Sequence, residues 1–392
     1  MRHMHRARRD LAGGIRSVRR VRINLEHAQL NSDSSPAGGA SDRAEGHMAT
    51  SDVLVLLFSH AVALTPTVLP AASRIVAIGD LHGDRRAFVR TLRNAQLIDE
   101  DERWRGGSAT LVQLGDVFDR GPQEAGCWSL LRKLQDEAPA AGGRVVRLIG
   151  NHEVMNVCGI AGNFIHPASL DAFGPDRLAA FAPGGALATE LADSSVVYAI
   201  VGESCFVHAH LPADATLESL DELNQAAGRW LRGEPSLDDD LLCTLPDVDG
   251  WEYSGRPQEE SAMCLPFALS HMAERDESPI WGRALSSPSN GQPAPSQCDA
   301  LRATLGRLGV RRLVVGHTPQ NYINAACDEL VWRCDTGMSA YVAQGKAEAL
   351  EISPNGEVRV LGEDTKVAGA GSAPLSSNLS SDFLDVNFMD IF

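Results

Sequence analysis

The chain has 392 residues, of which 44% are hydrophobic and 22% charged, and these proportions are those of a globular protein. Its formal net charge of −16 argues against a nucleic-acid-binding body, because contact with phosphate backbones requires a basic surface. The length suffices for one large α/β domain or two ordinary ones. The cysteines are scattered without a CxxC pair, so we predict neither a zinc module nor a disulfide framework and expect mostly buried thiols.

Residues 1–72 differ in composition from the remainder and are predicted to form a leader that is either disordered or a targeting segment. The start of the chain is rich in arginine and poor in acidic residues, as in transit peptides. An apolar run at 53–70, VLVLLFSHAVALTPTVLP, is too interrupted for a stable membrane span but has about the length of a signal-peptide core. An organellar or secretory destination and a cytoplasmic one both remain open.

Regular patterns begin at residue 73 and continue to about residue 362, which are the limits of one predicted domain. Short β-branched runs end in Gly followed by a polar residue, which is typical of buried strands. Apolar residues at helical spacing predict amphipathic helices over 84–98 and 124–138. Because strands and helices alternate, the carboxyl ends of parallel strands should share one sheet edge. The predicted strands span residues 74–80, 110–116, 144–151, 196–210 and 311–317.

Two segments depart from this pattern. Residues 210–300 are dominated by acidic residues, Pro and Ser, and we predict that they form an inserted cap of helices and long loops. Residues 363–392 begin with a small, polar stretch and are predicted to be a flexible tail.

The predicted strands end in carboxylate, imidazole or amide side chains. A single Asp after Gly is more often a helix cap than a ligand, but capping does not explain the whole set. The candidates are Asp80 and His82 in GDLHGD, Asp116, Asp119 and Arg120 in GDVFDRG, Asn151 and His152 in GNHE, His208 in FVHAHL, and His317 in GHTP.

This set of side chains suits divalent ions such as Mn²⁺, Fe²⁺ or Zn²⁺, and the lack of Cys among them argues against a closed structural zinc site. Two ions about 3.5–4 Å apart assist in-line attack at phosphorus, and an ion lowers the pKa of bound water to about 7. An arginine can neutralise phosphate oxygens, and an imidazole can protonate the leaving oxygen. The pattern therefore predicts hydrolysis of a phosphate ester.

Three complete signatures carry a family resemblance: GDxHG at Gly79–Gly83, GDxxDRG at Gly115–Gly121 and GNHE at Gly150–Glu153. In them the chain resembles the phosphoprotein phosphatases among the calcineurin-like metallophosphoesterases. The segments SPIWGRAL (278–285) and VWRCDTGMS (331–339) are similar to the bacterial-like branch named for Shewanella-type phosphatases. The resemblance covers about residues 73–362 and implies a metallophosphoesterase catalytic domain, a four-layer αββα sandwich with two central β-sheets flanked by helices.

The resemblance also implies a role for each candidate. Six side chains would hold two divalent metal ions (Mn, Fe or Zn), and Asp116 would bridge the ions. The six residues are Asp80, His82, Asp116, Asn151, His208 and His317. His152 would be the general acid and Asp119 would orient it. The phosphate oxygens would be held by Arg120 and by Arg283, which follows a Trp-Gly pair in the downstream segment.

Four further residues have less defined roles. Glu153 is predicted to support its neighbour or a helix start rather than to bind metal. His210 lies two positions after His208 and shares its strand face, but we favour an outward orientation where the strand ends. Asp335 is assigned a supporting role only, and Thr318 is predicted to be a turn or strand-end residue.

The predicted activity is hydrolysis of phosphomonoesters by direct attack of a metal-bridging hydroxide. A phosphoprotein or phosphopeptide carrying phospho-Ser, phospho-Thr or phospho-Tyr is the favoured substrate, and manganese is one candidate metal. A symmetrical dinucleoside tetraphosphate hydrolase and an inactive phosphoprotein-binding module are the alternatives. The sequence gives no oligomeric state.

Overall fold

A computed structural model of the chain describes residues 67–174, 176–234, 241–242, 265–269 and 278–362. Residues 1–66 of the predicted leader, part of the predicted cap and the predicted tail from residue 363 lie outside the described residues. The predicted end of the leader at residue 72 needs correction, because Val68–Leu69 form a strand that pairs with Ile200 and Val201. Among the described residues, no helix is both long enough and apolar enough to cross a membrane.

The described residues form helices and strands that alternate in the first half of the domain. The helices are α1 (Arg85–Asn94), α2 (Glu124–Glu137), α3 (Asn151–Cys158), α4 (Arg177–Phe181), α5 (Ala186–Ser194), α6 (Leu217–Leu231) and α7 (Pro295–Leu308). Short 3₁₀ turns occur at Ala138–Ala141, Gly162–Phe164, Pro167–Ser169 and Phe267–Leu269. The strands are β1 (Val68–Leu69), β2 (Ile75–Ile78), β3 (Thr110–Gln113), β4 (Arg144–Leu148), β5 (Ser195–Val196), β6 (Tyr198–Val201), β7 (Ser204–Val207), β8 (Leu241–Leu242), β9 (Leu265–Pro266), β10 (Arg312–Val315), β11 (Asn324–Ala326), β12 (Val331–Arg333), β13 (Ala349–Ile352) and β14 (Val358–Leu361).

The two helices predicted from apolar spacing are confirmed as α1 and α2. Helix α1 begins after Asp84, whose carboxylate accepts a hydrogen bond from the N–H of Ala87, and its buried face includes Phe88 and Leu92. The predicted strand over 196–210 needs correction, because it is a hairpin of two antiparallel strands, β6 and β7. The chain reverses at Gly202, where φ is +58° and a side chain would be strained.

Two mixed six-stranded sheets form the centre of the domain. The first sheet has the order β14-β13-β2-β3-β4-β5, in which β2 to β5 are parallel. The second sheet has the order β1-β6-β7-β10-β12-β11, in which β7, β10 and β12 are parallel. The pairing register places Ala77 beside Val112 and Val112 beside Val146, so equivalent positions of β2, β3 and β4 face the same side.

Alternate residues of these strands separate into two apolar clusters. The cluster shared by the two sheets includes Ala77, Val112, Val146, Phe206 and Val314. The intervening residues join helix side chains instead, as Leu111 of β3 does with Phe88 of α1 and Leu131 of α2. On the second sheet Val315 belongs with Leu301 and Leu305 of α7. The predicted αββα sandwich is therefore confirmed, with an apolar layer between the sheets and another beneath the helices.

The cysteines require one correction. Cys127, Cys158, Cys205 and Cys334 are buried free thiols, as expected. Cys298 near the start of α7 and Cys327 in the turn between β11 and β12 form a disulfide, with their Cα atoms 5.1 Å apart. The two residues are 29 positions apart, and only the packing of α7 beside the second sheet brings them together.

We expect Phe206→Ala to lower the free energy of unfolding by about 3–5 kcal/mol, since the ring is fully buried in the cluster between the sheets. The control is Leu217→Ala at the start of α6, where the side chain is 46% exposed and the expected change is below about 0.5 kcal/mol. Urea unfolding measures both values. Equal losses in the two variants would contradict the proposed core.

Candidate active site

Five strand ends from the two sheets meet at one place. Asp80 follows β2, Asp116 follows β3, Asn151 begins α3 after β4, His208 follows β7 and His317 follows β10. The first three strands are parallel neighbours in one sheet, and β7 and β10 are parallel neighbours in the other. All five side chains are buried. The convergence expected from the alternating pattern thus involves both sheets rather than one edge.

The six predicted metal ligands form a closed ring of contacts across this junction. From Asp80 the ring passes through His82, Asp116, His208, Asn151 and His317. It closes where the backbone N–H of His317 donates to Asp80 Oδ1 at 3.1 Å. The structure therefore brings together every side chain that the sequence nominated for the metals.

The ligand-bearing turns have unusual backbone conformations. Non-glycine residues with positive φ include His82 at 43°, Asp116 at 54° and His317 at 66°. This left-handed region is unfavourable for side chains with a Cβ, and such residues cluster at functional sites. The surrounding structure must hold these turns in place.

Glu153 is the main support of the turn after β3. Its Oε2 accepts hydrogen bonds from the backbone N–H groups of Gly150 at 2.7 Å and Asp116 at 2.8 Å, and its Oε1 accepts from Val117 at 2.8 Å. Burial, followed by the nearby Asp116 carboxylate, raises the pKa of Glu153 to about 7. With three backbone donors, this carboxylate joins the GDVFDRG turn to the start of α3, in line with the predicted supporting role.

One group of potential ligand atoms surrounds His82. Its Nε2 lies 3.7 Å from Asp116 Oδ2 and 4.0 Å from Asp80 Oδ2. Its Nδ1 lies 3.1 Å from the carbonyl oxygen of Phe118, which can only accept, so in the neutral ring Nε2 presents a lone pair to the two carboxylates. The ligand atoms of His82, Asp116 and His152 also lie within 4.8 Å of one another.

A second group surrounds Asn151. Its Oδ1 lies 3.0 Å from His208 Nε2 and 3.0 Å from His317 Nδ1. Two atoms bound to one ion at about 2.1 Å and at a right angle lie about 3.0 Å apart, so this spacing suits a shared ion. His208 Nδ1 donates to the carbonyl oxygen of Leu114 at 2.7 Å, which directs the Nε2 lone pair of the neutral ring into the group.

Asp116 belongs to both groups, since its ligand atom also lies within 4.8 Å of those of His208 and His317. Oδ1 of Asp116 accepts a hydrogen bond from the backbone N–H of His152 at 2.9 Å. Oδ2 lies 3.5 Å from His208 Nε2, 3.7 Å from His82 Nε2 and 4.0 Å from His152 Nε2. One carboxylate oxygen therefore faces three imidazole rings.

The electrostatics of the site show a shortage of positive charge. Burial, then Asp335, raises the pKa of Asp80, and burial with the nearby Asp116 raises the pKa of Asp335 to about 6. Burial opposes a charge on His208, but Asp116 and Asp80 outweigh it and raise the pKa of His208 to about 10. In the described part of the chain, Asp80 Oδ2 is buried and makes no hydrogen bond. This acceptor fits a divalent cation.

His152 is held by its neighbour in the GDVFDRG turn. Its Nδ1 lies 2.7 Å from Asp119 Oδ2, and its Nε2 faces the Asp116 carboxylate. The rings of His152 and His82 lie 4.6 Å apart, edge to face. The side chains nominated as general acid and orienting carboxylate are thus in direct contact beside the metal ligands.

Three supporting residues were not predicted. Asn156 donates to Asp119 Oδ2 at 2.9 Å, and Arg177 donates to Asn156 Oδ1 at 2.8 Å and to both Glu124 oxygens. Glu124 in turn accepts from the backbone N–H of Asp119 at 2.8 Å. Asn156 lies four residues after His152 on α3, so helical spacing could have identified it. Arg177 begins α4 and has no local sequence signal.

The two predicted phosphate arginines have different neighbours at the site. Arg120 is partly buried, and its guanidinium lies 5.4 Å from the centre of the Phe164 ring, which packs 5.2 Å from the His152 ring. Arg283 is also partly buried and donates to Thr318 Oγ1 at 3.1 Å, next to His317. After burial, Arg283 is the largest cause that lowers the pKa of His317.

His210 and Asp335 are two of the residues whose roles the sequence left less defined. His210 is 4% exposed and packs against Gly282, where a Cβ would overlap the His210 side chain. The favoured outward orientation of His210 is therefore wrong, because the 278–285 segment covers the end of β7. Asp335 is buried near the site and accepts a hydrogen bond from the N–H of Gly337 at 2.8 Å.

Comparison with known proteins identifies the family. The family model described as calcineurin-like phosphoesterase matches residues 73–321. The chain belongs to this family. It is 31% identical over 333 residues to Shewanella-like protein phosphatase 2 of Arabidopsis thaliana, covering 74% of this chain and 77% of that one. It is 29% identical over 279 residues to Shewanella-like protein phosphatase 1 of Plasmodium berghei, covering 70% and 69%.

Solved structures of low sequence identity share the fold. The cold-active protein-tyrosine phosphatase of a psychrophilic Shewanella species superposes with a TM-score of 0.55 at 20% identity, covering 77% of this chain and 84% of that one. A further structure of a cold-active protein tyrosine phosphatase gives a TM-score of 0.56, also at 20% identity, with 78% and 85% covered. The αββα arrangement of this calcineurin-like phosphoesterase is therefore shared with solved phosphatases.

We expect Arg177→Met to lower the free energy of unfolding by about 3–5 kcal/mol, because it leaves the buried Asp119 and Glu124 carboxylates without their guanidinium partner. Adding Glu124→Gln should recover part of the loss. The control is Arg232→Met, whose ion pair with the partly exposed Asp193 should contribute less than about 1 kcal/mol. Urea unfolding compares the variants, and similar losses for Arg177→Met and Arg232→Met would refute the role given to the buried cluster.

Proposed function

We propose that this calcineurin-like phosphoesterase is a binuclear-metal protein phosphatase that hydrolyses phosphomonoesters of phosphoproteins or phosphopeptides. The observation that carries the proposal is the position of Asp116, which belongs to two groups of potential ligand atoms, one with His82 and His152 and the other with His208 and His317. His152 is in turn held by Asp119. The relatives named as protein phosphatases support the substrate class.

The metal ligands are proposed as follows. Asp80 and His82 would hold one ion, Asn151, His208 and His317 would hold the other, and Asp116 would contribute to both. Oxygen and imidazole donors without a thiolate suit Mn²⁺, Fe²⁺ or Zn²⁺. When bound, the ions would supply a hydroxide at neutral pH and neutralise charge on the phosphate.

The protein's own residues would bind the phosphate and supply the proton. Arg120, near His152, and Arg283, beside Thr318, would each present N–H donors to the phosphate oxygens. His152 would donate the proton on Nε2 to the leaving oxygen. Asp119 accepts from Nδ1 at 2.7 Å, so it holds the ring in that orientation. Hydrolysis would take place in one step without a phosphorylated side chain.

The most informative experiment combines metal analysis with activity. Purified protein should contain up to two divalent ions per chain and should hydrolyse members of a mixed phosphopeptide library faster than diadenosine tetraphosphate. Removal of the ions with a chelator should abolish turnover, and Mn²⁺, Fe²⁺ or Zn²⁺ should restore it. Faster hydrolysis of diadenosine tetraphosphate would favour the nucleotide hydrolase. Purified protein that contains no metal and shows no activity would favour the phosphoprotein-binding module.

Asp116→Asn should lower turnover of p-nitrophenyl phosphate by at least about 100-fold and reduce the metal content, because the shared carboxylate is lost. The control is Asp171→Asn at an exposed position, which should leave both quantities unchanged. Elemental analysis and steady-state kinetics provide the measurements. Wild-type turnover by Asp116→Asn at full metal occupancy would disprove the shared role.

His152→Asn should slow hydrolysis of a phosphoserine peptide by about 10²–10⁴-fold. Hydrolysis of p-nitrophenyl phosphate should be slowed much less, because p-nitrophenolate is a good leaving group that needs little protonation. Steady-state turnover on the two substrates, at matched metal content, gives the ratio of the two effects. An equal loss on both would show that His152 does not protonate the leaving oxygen.

A further inference from the structure

A small hydrogen-bonded ring surrounds Arg283, the arginine proposed to bind phosphate from the downstream segment. Arg283 Nη1 donates to Thr318 Oγ1 at 3.1 Å. The hydroxyl oxygens of Thr318 and Ser286 lie 2.7 Å apart, and Ser286 Oγ donates to the carbonyl oxygen of Arg283 at 3.5 Å. Ser286 is fully buried and Thr318 is 8% exposed, so water competes little for these bonds.

The direction of the bond from Arg283 follows from the chemistry of the groups. A guanidinium has no acceptor, so Thr318 Oγ1 must accept from Arg283. Either hydroxyl can donate in the 2.7 Å contact between Thr318 and Ser286, and in both cases Ser286 holds the oxygen that accepts from the guanidinium. The arginine side chain is thereby joined to its own backbone segment through two hydroxyls.

We propose that Thr318 and Ser286 are positioning residues that hold Arg283 in its phosphate-binding orientation. Thr318 directly follows His317, a proposed metal ligand, so the hydroxyl ring also fixes Arg283 relative to the metal ligands. Positioning through a charge-assisted bond restricts a long side chain before substrate arrives, which strengthens phosphate binding. This inference rests on the proposed function of the site.

The backbone around the hydroxyl ring is held independently. Gln320 Nε2 donates to the carbonyl oxygens of Ser286 at 3.0 Å and Thr318 at 2.9 Å. Gln320 Oε1 accepts from the backbone N–H of Asn290 at 2.7 Å. Because these bonds do not use the two hydroxyls, Thr318→Val should remove the contact with Arg283 while leaving the two loops joined.

The test uses p-nitrophenyl phosphate as substrate and inorganic phosphate as inhibitor of the full-length, metal-loaded protein. Thr318→Val should raise both KM and the inhibition constant of phosphate about 5-fold, with kcat changed less than about twofold. Thr318→Ser should restore both constants, and Ser286→Ala should raise them in the same direction. In an Arg283→Met background, Thr318→Val should have no further effect, because the group it positions is absent.

The matched control is Ser289→Ala. Ser289 also joins the two loops through its hydroxyl, which lies 2.9 Å from the carbonyl oxygen of Pro319 and 3.3 Å from Asn290 Oδ1. Its hydroxyl bonds are therefore to groups other than Arg283. Its substitution should leave KM and the phosphate inhibition constant unchanged. Metal content is measured for every variant, since Thr318 adjoins His317.

Three results would overturn the inference. The first is an unchanged inhibition constant of phosphate in Thr318→Val. The second is a double variant whose KM and inhibition constant show the effects of Thr318→Val and Arg283→Met added together. The third is a loss of metal from Thr318→Val that accounts for its kinetic change. Each assumes an active wild-type protein. A wild-type protein that carries metal but hydrolyses no phosphomonoester would instead refute the proposed function, so the two failures are distinguishable.

Discussion

The site depends on keeping the Asp116 carboxylate buried and fixed where the two sheets meet. Its Oδ2 faces three imidazole rings within 4.0 Å, and its backbone adopts a left-handed turn. Neither feature is favourable alone, because buried charge and positive φ both cost free energy. Three backbone hydrogen bonds to Glu153 hold the turn, and the N–H of His152 orients the carboxylate. The fold therefore fixes the carboxylate before any ion binds.

Cations would also stabilise the fold. Burial raises the pKa values of Asp80 and Asp335, and neighbouring carboxylates add to the effect, Asp335 and Asp116 at Asp80 and Asp116 at Asp335. Two divalent ions at this junction would neutralise these carboxylates and satisfy the buried Oδ2 of Asp80. Because the ligands come from both sheets, ion binding would also join the sheets at the edge that carries the site. Metal affinity and fold stability should thus be coupled.

The sequence predicted the parts of the structure that have local signatures. The polar residues after β2, β3 and β4 stand in short motifs, and apolar spacing predicted α1 and α2. The separation of strands β6 and β7 depends on one turn at Gly202, which lies inside the run VVYAIVGESCFVHAH that we predicted as one strand. Arg177 and the Cys298–Cys327 disulfide could not be predicted, because their partners are distant in sequence and meet only through packing. The orientation of His210 likewise depends on a segment that folds over it.

The different environments of Asp116 and Asp119 explain how one short turn serves two purposes. The two carboxylates are three residues apart, but Asp116 faces the imidazoles of the ligand groups, whereas Asp119 faces His152 Nδ1, Asn156 and Arg177. The positive charge of Arg177 lies behind Asp119, on the side occupied by Glu124. Asp119 is thus held beside His152 by Asn156 and Arg177 rather than by the ligand groups. Metal binding and proton donation can therefore be separated within a single turn.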